Sequence, residues 1–302
     1  MGYCMNELYL LCGISRQAHF QALARERSLE ADKLLYINLM HQIRSMHPGM
    51  GLRKMYAQFA PEGIGRDAFI ALGLQEGFRL KAFAKPTRTT YAYKGAQYKN
   101  LLVDKRFTDV NQVWTSDITY FAFKEQFYYI VLIMDVYSRK IVGYSIADNM
   151  RAENNIKALR KALNLRNIQN YNKQLIHHSD RGTQYIAQSY TDLLEDFGIQ
   201  ISMCKNVLEN AHIERVNGII KNDYLKRWHI KDQRQLPKML KKAVDNYNDR
   251  AHQALGNKTP NEFEVHIRAM PIEKRKQLTI FTKNQNSKNS TKQMNIFEQI
   301  NG

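Results

Sequence analysis

Cysteine is scarce in this chain. Only Cys4, Cys12 and Cys204 occur among 302 residues, and none has a second Cys or a His pair at zinc-ligand spacing. This excludes a zinc finger and a disulfide framework, and it fits a reducing cytosol. Long apolar runs are also missing. No stretch approaches the roughly 20 residues needed to span a bilayer, so no membrane partner is expected. The opening MGYCMNELYLLCG has an apolar patch but no basic leader, which makes it a poor signal peptide. Asn6 stands where a myristoylation signal wants Ser or Thr. Acids are in deficit: 28 Asp and Glu face 45 Lys and Arg, a formal charge of +17. Such an excess favours a polyanionic partner, because bound Lys and Arg release counterions condensed on phosphates. Nucleic acid fits best, since no long basic helix with a pure apolar face suggests a membrane surface. With 44% hydrophobic residues, the chain can build true cores.

The length suits two domains and a tail. Residues 1–85 read as helical, with Leu34, Leu35, Ile37, Leu39, Met40 and Ile43 near helical spacing. His47-Pro48-Gly49 ends that run. Short helices are expected over 52–59 and 66–72, with a turn at Gly63 and Gly65. Such an arrangement resembles a helix-turn-helix, although a helical bundle without DNA contact gives the same pattern. Residues 10–23 could form a second such unit. Residues 86–110 read as a basic linker with interleaved tyrosines, either solvated or following a phosphate backbone. From Val113 the pattern turns to strands: 113–123, 126–135 and 140–147 form a meander. Helix, strand, helix, strand and a long helix over 209–226 follow. This order implies an α/β fold, a mixed sheet flanked by helices, over 111–268. Residues 226–242 carry seven Lys or Arg and one acid, Asp232, on a C-terminal basic helix. The stretch 269–302 reads as a polar, disordered tail.

Three acids stand out by position. Asp117 lies mid-strand in VWTSDITYF, where a carboxylate is costly unless paired, hydrogen-bonded or metal-bound. Asp180 follows the fourth strand in LIHHSDRG, where Gly182 permits a turn. Glu214 lies on the last long helix in LENAHIERVNGIIK. Each alone reads as a surface or capping charge. Together, from a strand, a neighbouring strand end and a covering helix, they can converge on one point. Converged carboxylates need a cation, and oxygen-only ligands favour Mg²⁺, with Mn²⁺ able to substitute. Asn210, Asn217, Gly218 and Lys221 share the helical face of Glu214, as DNA-contacting groups or as a solvated polar face. His177 and His178 suggest packing near Asp180 more than zinc. Asp135 reads as a turn residue, and Trp114 points to the opposite face from Asp117.

With its local segments the triplet resembles a known family. HPGMGLRKMY, NQVWTSDITY, DVYSRKIVG, HSDRGTQY, ENAHIERVNGIIK and YNDRAHQALGNKTP stand in the order found in second-frame (OrfB-type) insertion-sequence transposases of the retroviral-integrase superfamily. The likeness runs to about residue 268. It implies a ribonuclease-H-like core, preceded by an α-helical helix-turn-helix-like domain, and Mg²⁺-dependent strand cleavage and transfer at the ends of a mobile element. Catalytic and metal-binding roles fall on Asp117, Asp180 and Glu214. DNA contacts are expected at Lys221, Asn210, Asn217, Arg215, Arg53, Lys54 and Lys205. The implied partners are double-stranded DNA (element ends and target), further copies of the chain assembled on DNA, and an upstream-frame transposase product. The implied location is the bacterial cytoplasm, on the nucleoid. Thirty-three residues separate Asp180 from Glu214, two fewer than is usual in the family, and Glu209 stands where Asp is usual. A hydrolytic nuclease on the same fold and a catalytically inactive transposase-derived DNA-binding protein are the alternatives. Intact Asp117, Asp180 and Glu214 argue against the second.

Overall fold

The computed structural model describes residues 4–81, 83, 98–171, 173–204 and 211–281. The chain divides into two compact units, 1–82 and 83–302.

In the first unit a short α1 (Met5–Leu11) leads through Gly13, at φ 64°, into α2 (Arg16–Met46). Ser15 caps α2 by accepting the Ala18 N–H at 3.1 Å. Residues 10–23 were expected as a unit separate from the helix around 34–43. Instead α2 runs unbroken for 31 residues, because no Gly or Pro interrupts positions 16–46. His47 and Pro48 end it. Then come α3 (Leu52–Phe59) and α4 (Arg66–Gln75). Tyr36, Met40 and Ile43 of α2 pack with Leu52, Met55 and Phe69 in one core. The turn before α4 is tied to α2 by the Tyr36 hydroxyl, which donates to the Glu62 carbonyl at 2.7 Å. Gly63 sits beside it at φ 78°, where a side chain would be strained and would meet that hydroxyl.

The second unit begins with β1 (Arg106–Phe107). The main sheet follows: β2 (Val113–Phe123), β3 (Gln126–Asp135), β4 (Ile141–Ala147), then α5 (Ala152–Arg166), β5 (Ile176–Ser179), α6 (Gln188–Asp196) and β6 (Gln200–Met203). Next are α7 (Ala211–Ile219), a π-helical turn (Ile220–Leu225), α8 (Leu236–Asn248), α9 (Pro260–Ala269) and β7 (Leu278–Thr279). The sheet order is β4-β3-β2-β5-β6. The first three strands pair antiparallel, whereas β5 and β6 run parallel to β2. A meander joined at its first strand to two parallel crossover strands is the ribonuclease-H-like topology.

Helices cover both faces. On one, Trp114, Val131, Ile133 and Val142 pack against α5 and α6. On the other, Phe121, Ile130, Leu132 and Met134 pack against α7, the π-helical turn and α8. Burial on both faces explains why β3 is an unbroken apolar run. At Gly143 the β4 backbone lies so close to α5 that a Cβ would overlap the Ala158 carbonyl.

Of the stretch expected as linker, residues 98–110 are packed against the second unit's core, and residues 86–97 lie outside the described residues. Leu102 and Phe107 join Val113, Val136 and Ile176 in a satellite core. Of the stretch expected as a disordered tail, residues 269–281 are likewise packed, and residues 282–302 lie outside the described residues. Within 269–281, β7 pairs with β1, while Leu278, Ile280 and Phe281 pack on that satellite core. These apolar positions supply the burial that the polar composition around them obscured. The long helix expected over 209–226 is α7 plus the π-helical turn, a local widening of the helix often seen at functional sites, and residues 209–210 lie outside the described residues.

Candidate active site

Asp117 lies near the middle of β2, the central strand, on the face covered by α7. The parallel ladder between β2 and β5 ends at Ser116↔Ser179. Asp180 is therefore one step past the strand, level with Asp117. Its Oδ1 accepts the Gly182 N–H at 3.0 Å, an Asx-type turn that fixes the carboxylate. Gly182 has an ordinary φ of −65°, so its role is room: a Cβ there would sit 3.1 Å from Asp180 Oδ1 and 3.0 Å from Gln184 Oε1. The Arg181 guanidinium donates to the Cys204 carbonyl at 3.0 Å, tying this loop to the end of β6.

Glu214 is on the first turns of α7 and is exposed. Electrostatics link the three acids. Burial pushes the Asp117 carboxyl well above its usual range, and the charges of Asp180 and then Glu214 push it further. Burial also raises Asp180, against the Gly182 N–H that lowers it. Among the described residues, no three His, Cys, Asp or Glu side chains close into a metal-sized shell.

Asn217 is buried at 3% exposure. Its Nδ2 donates to Asp117 Oδ2 at 2.6 Å, while its own Oδ1 is buried without a partner among the described residues. The amide named from sequence as a DNA contact thus faces Asp117, not the surface. Lys221 reaches back to the sheet: Nζ donates to Thr119 Oγ1 at 2.6 Å, two residues along β2 from Asp117. Burial lowers its pKa, the Lys226 charge lowers it further, and Asp117 opposes both. Among the described residues, a Cβ placed at Gly218 would meet nothing within 4 Å. Arg215 is exposed on α7, and Arg53 and Lys54 are exposed on α3 in the other unit. Lys205 and Asn210 lie outside the described residues.

Several residues around the acids escaped sequence reasoning. Thr119 was within reach of it, since strand alternation puts it on the face of Asp117. Tyr185 and Ser116, joined by hydroxyls 2.9 Å apart, were not, because only the fold brings them together. The Tyr185 hydroxyl is pushed well up by burial and then by Asp180 and Asp117, so it stays protonated beneath the carboxylates. His177 and His178 tie β5 to its neighbours: His177 bonds Tyr190 of α6 at 3.0 Å and His178 bonds Ser202 of β6 at 2.9 Å. Burial lowers them to about 3 and about 4, leaving both neutral. Asp135 is fully buried and accepts the backbone N–H groups of Asn111, Tyr137 and Ser138 at 2.6, 3.0 and 3.1 Å. It organises the β3–β4 turn, away from the three acids. Trp114 is wholly buried on the opposite face from Asp117.

The family description "Integrase core domain" matches residues 108–206, and a second of the same description matches 198–260. A 31 kDa protein of insertion element IS600 from Shigella sonnei is 31% identical over 261 residues, covering 83% of this chain and 95% of that protein. This chain belongs to the insertion-sequence transposases of the integrase superfamily. The transposase for insertion sequence element IS629 of Shigella sonnei is 30% identical, covering 72% of this chain and 74% of that one. A putative transposase for IS986/IS6110 of Mycobacterium tuberculosis is 30% identical over 71% of this chain and 81% of its own length. Among solved structures, the chain is similar to the HTLV-2 integrase catalytic core domain in complex with magnesium. That likeness has 23% identity and a TM-score of 0.42 over 55% of this chain and 99% of that one. Membership implies DNA strand transfer. Among the described residues of this transposase, no helix is long and apolar enough to cross a membrane.

Proposed function

We propose that this transposase cuts and joins DNA at the ends of its insertion sequence with Asp117, Asp180 and Glu214 as ligands to two divalent ions, Mg²⁺ or Mn²⁺. The observation that carries this reading is the placement of Asp117 on β2 level with Asp180 just past β5, on the face covered by α7, which carries Glu214, so that the charges of Asp180 and then Glu214 act against the buried Asp117 carboxylate. Such repulsion is costly in a fold unless a cation relieves it. An all-oxygen donor set suits hard cations, and the unpartnered buried Oδ1 of Asn217 leaves one more acceptor beside them. When bound, such ions activate the attacking oxygen and stabilise the leaving oxygen of a phosphodiester. The protein's own groups position that chemistry. Asn217 holds the Asp117 carboxylate in one orientation, and Gly182 holds Asp180. Lys221 leaves Thr119 to meet a phosphate near the cut, where Gly218, lacking a side chain, admits a DNA strand. Arg215, Lys205 and Asn210 contact DNA around the site, while Arg53 and Lys54 contribute from the helical unit. The +17 charge draws duplex DNA, both element ends and target. The chain works as an assembly of copies on DNA, in the bacterial cytoplasm.

Joining of a precut, end-containing duplex into target DNA tests this directly. Asp117→Asn, Asp180→Asn and Glu214→Gln should each abolish Mg²⁺-dependent joining while DNA binding survives. Near-normal turnover in any one of them removes that residue from the ligand set. Cleavage without joining by the unaltered protein would favour the hydrolytic nuclease.

A further inference from the structure

Helix α2 is 31 residues long, yet only Tyr36, Met40 and Ile43, near its C-terminal end, are buried. Residues 24–35 are all exposed. A long helix without tertiary packing is marginal in water, so this half calls for a partner. Phe20, Leu23, Arg27, Glu30, Leu34 and Ile37 follow one another at spacings of 3, 4, 3, 4 and 3 residues, the seam of a two-helix coil. This seam lies on the side of α2 away from Tyr36, Met40 and Ile43. Phe20 and Leu34 are 53% and 59% exposed. Neither Arg27 nor Glu30 has an ion-pair partner among the described residues.

The seam is its own complement when reversed. About a two-fold axis between Ser28 and Leu29, Phe20 faces the partner's Ile37, Leu23 faces the partner's Leu34, and Arg27 faces the partner's Glu30. Every contact occurs twice. Glu26 and Lys33 flank the seam on one side and meet, with opposite charge, across the same axis. We infer that α2 is an isologous dimer interface, on which a second copy of this chain docks its own α2 antiparallel over residues 20–37. The span is about 26 Å at 1.5 Å per residue. Charge identifies the occupant. The chain as a whole is at +17, whereas residues 16–37 hold Arg16, Arg25, Arg27 and Lys33 against Glu26, Glu30 and Asp32. A nearly neutral stripe with both signs interleaved suits a protein of matching pattern better than a phosphate backbone. The two central charged positions also explain why no apolar heptad run is visible in the sequence. This pairing does not depend on the chemistry proposed for the acids.

Sedimentation velocity of the full chain, without DNA, tests the pairing through a charge exchange. The unaltered protein should show a monomer–dimer equilibrium. Arg27→Glu sets Glu against Glu, and Glu30→Arg sets Arg against Arg. Each should raise the dissociation constant about tenfold or more, because like charges then oppose each other twice per dimer. The double exchange Arg27→Glu with Glu30→Arg should restore the original value. A parallel pairing sets Arg27 against Arg27 and Glu30 against Glu30, and each single exchange there leaves like charge facing like, so it predicts no such loss and no restoration by the double exchange. The inference is overturned if the unaltered chain stays monomeric, if the single exchanges leave or strengthen association, or if the double exchange fails to restore it.

Discussion

Replacing Asp117 by Asn should stabilise the protein while removing its activity. Burial, then the charges of Asp180 and Glu214, hold this carboxyl well above its ordinary value of 3.8, against weaker opposing hydrogen bonds from Ile118 and Asn217. A carboxyl raised in the folded state holds its proton there more tightly than in the unfolded chain. Its contribution is therefore most favourable at acid pH and declines as pH rises from about 4 through the raised value. Above that value the whole penalty of an ionised carboxylate is present. Asn has nearly the same volume, carries no charge, and keeps an oxygen that can accept from Asn217. Relief of strain at a functional site commonly adds about 0.5–2 kcal/mol. For a unit of this size that is a rise of about 1–8 °C in Tm. Thermal unfolding of both proteins in EDTA, from about pH 5 to pH 9, measures it. The variant's advantage should grow with pH, and Mg²⁺ should raise the unaltered protein's Tm more than the variant's. A variant less stable than its parent at pH 8 in EDTA, or an advantage independent of pH, would refute the reasoning.

Asn217→Ala removes a charged hydrogen bond to Asp117 and should lower strand joining about 10–100-fold with DNA affinity unchanged. A parallel loss of affinity in a gel-shift titration would instead make Asn217 a DNA contact. Lys221→Ala should reduce joining and binding of precut ends more than Lys105→Ala does, without altering metal dependence. Equal effects of the two would leave Lys221 as general positive surface. Gly143→Ala forces β4 from the Ala158 carbonyl and should cost about 1–3 kcal/mol of stability, read as a lower denaturant midpoint. An unchanged midpoint would mean that α5 shifts freely.

The strands were legible because their patterns are strong: alternation in β2 and an unbroken apolar run in β3, bounded by turn residues. The three candidate acids stand out by the segments around them, and alternation alone separates Asp117 from Trp114. The placement of Asp117 level with Asp180 was not legible, since it depends on the β2–β5 register. Nor was the destination of the Asn217 amide, because helical spacing gives a face but not a partner. The polar composition after Met270 masked Leu278, Ile280 and Phe281, which are few but suffice to pair β7 with β1. In α2 the leucine and isoleucine cluster near residues 34–43 has a stronger apolar period than the helix before it. There, charged seam positions interrupt the apolar period although the backbone continues.

A ligand-exchange experiment tests the central claim, that the three acids hold the metal, most directly. Asp117→Cys, Asp180→Cys and Glu214→Cys each replace a hard carboxylate with a thiolate, which Mg²⁺ binds poorly and Mn²⁺ tolerates better. Strand joining by the cysteine variants should vanish in Mg²⁺ and return in part in Mn²⁺, whereas the corresponding alanine variants should stay inactive in both. Joining in Mg²⁺ by a cysteine or alanine variant at a rate near that of the unaltered protein would contradict the account.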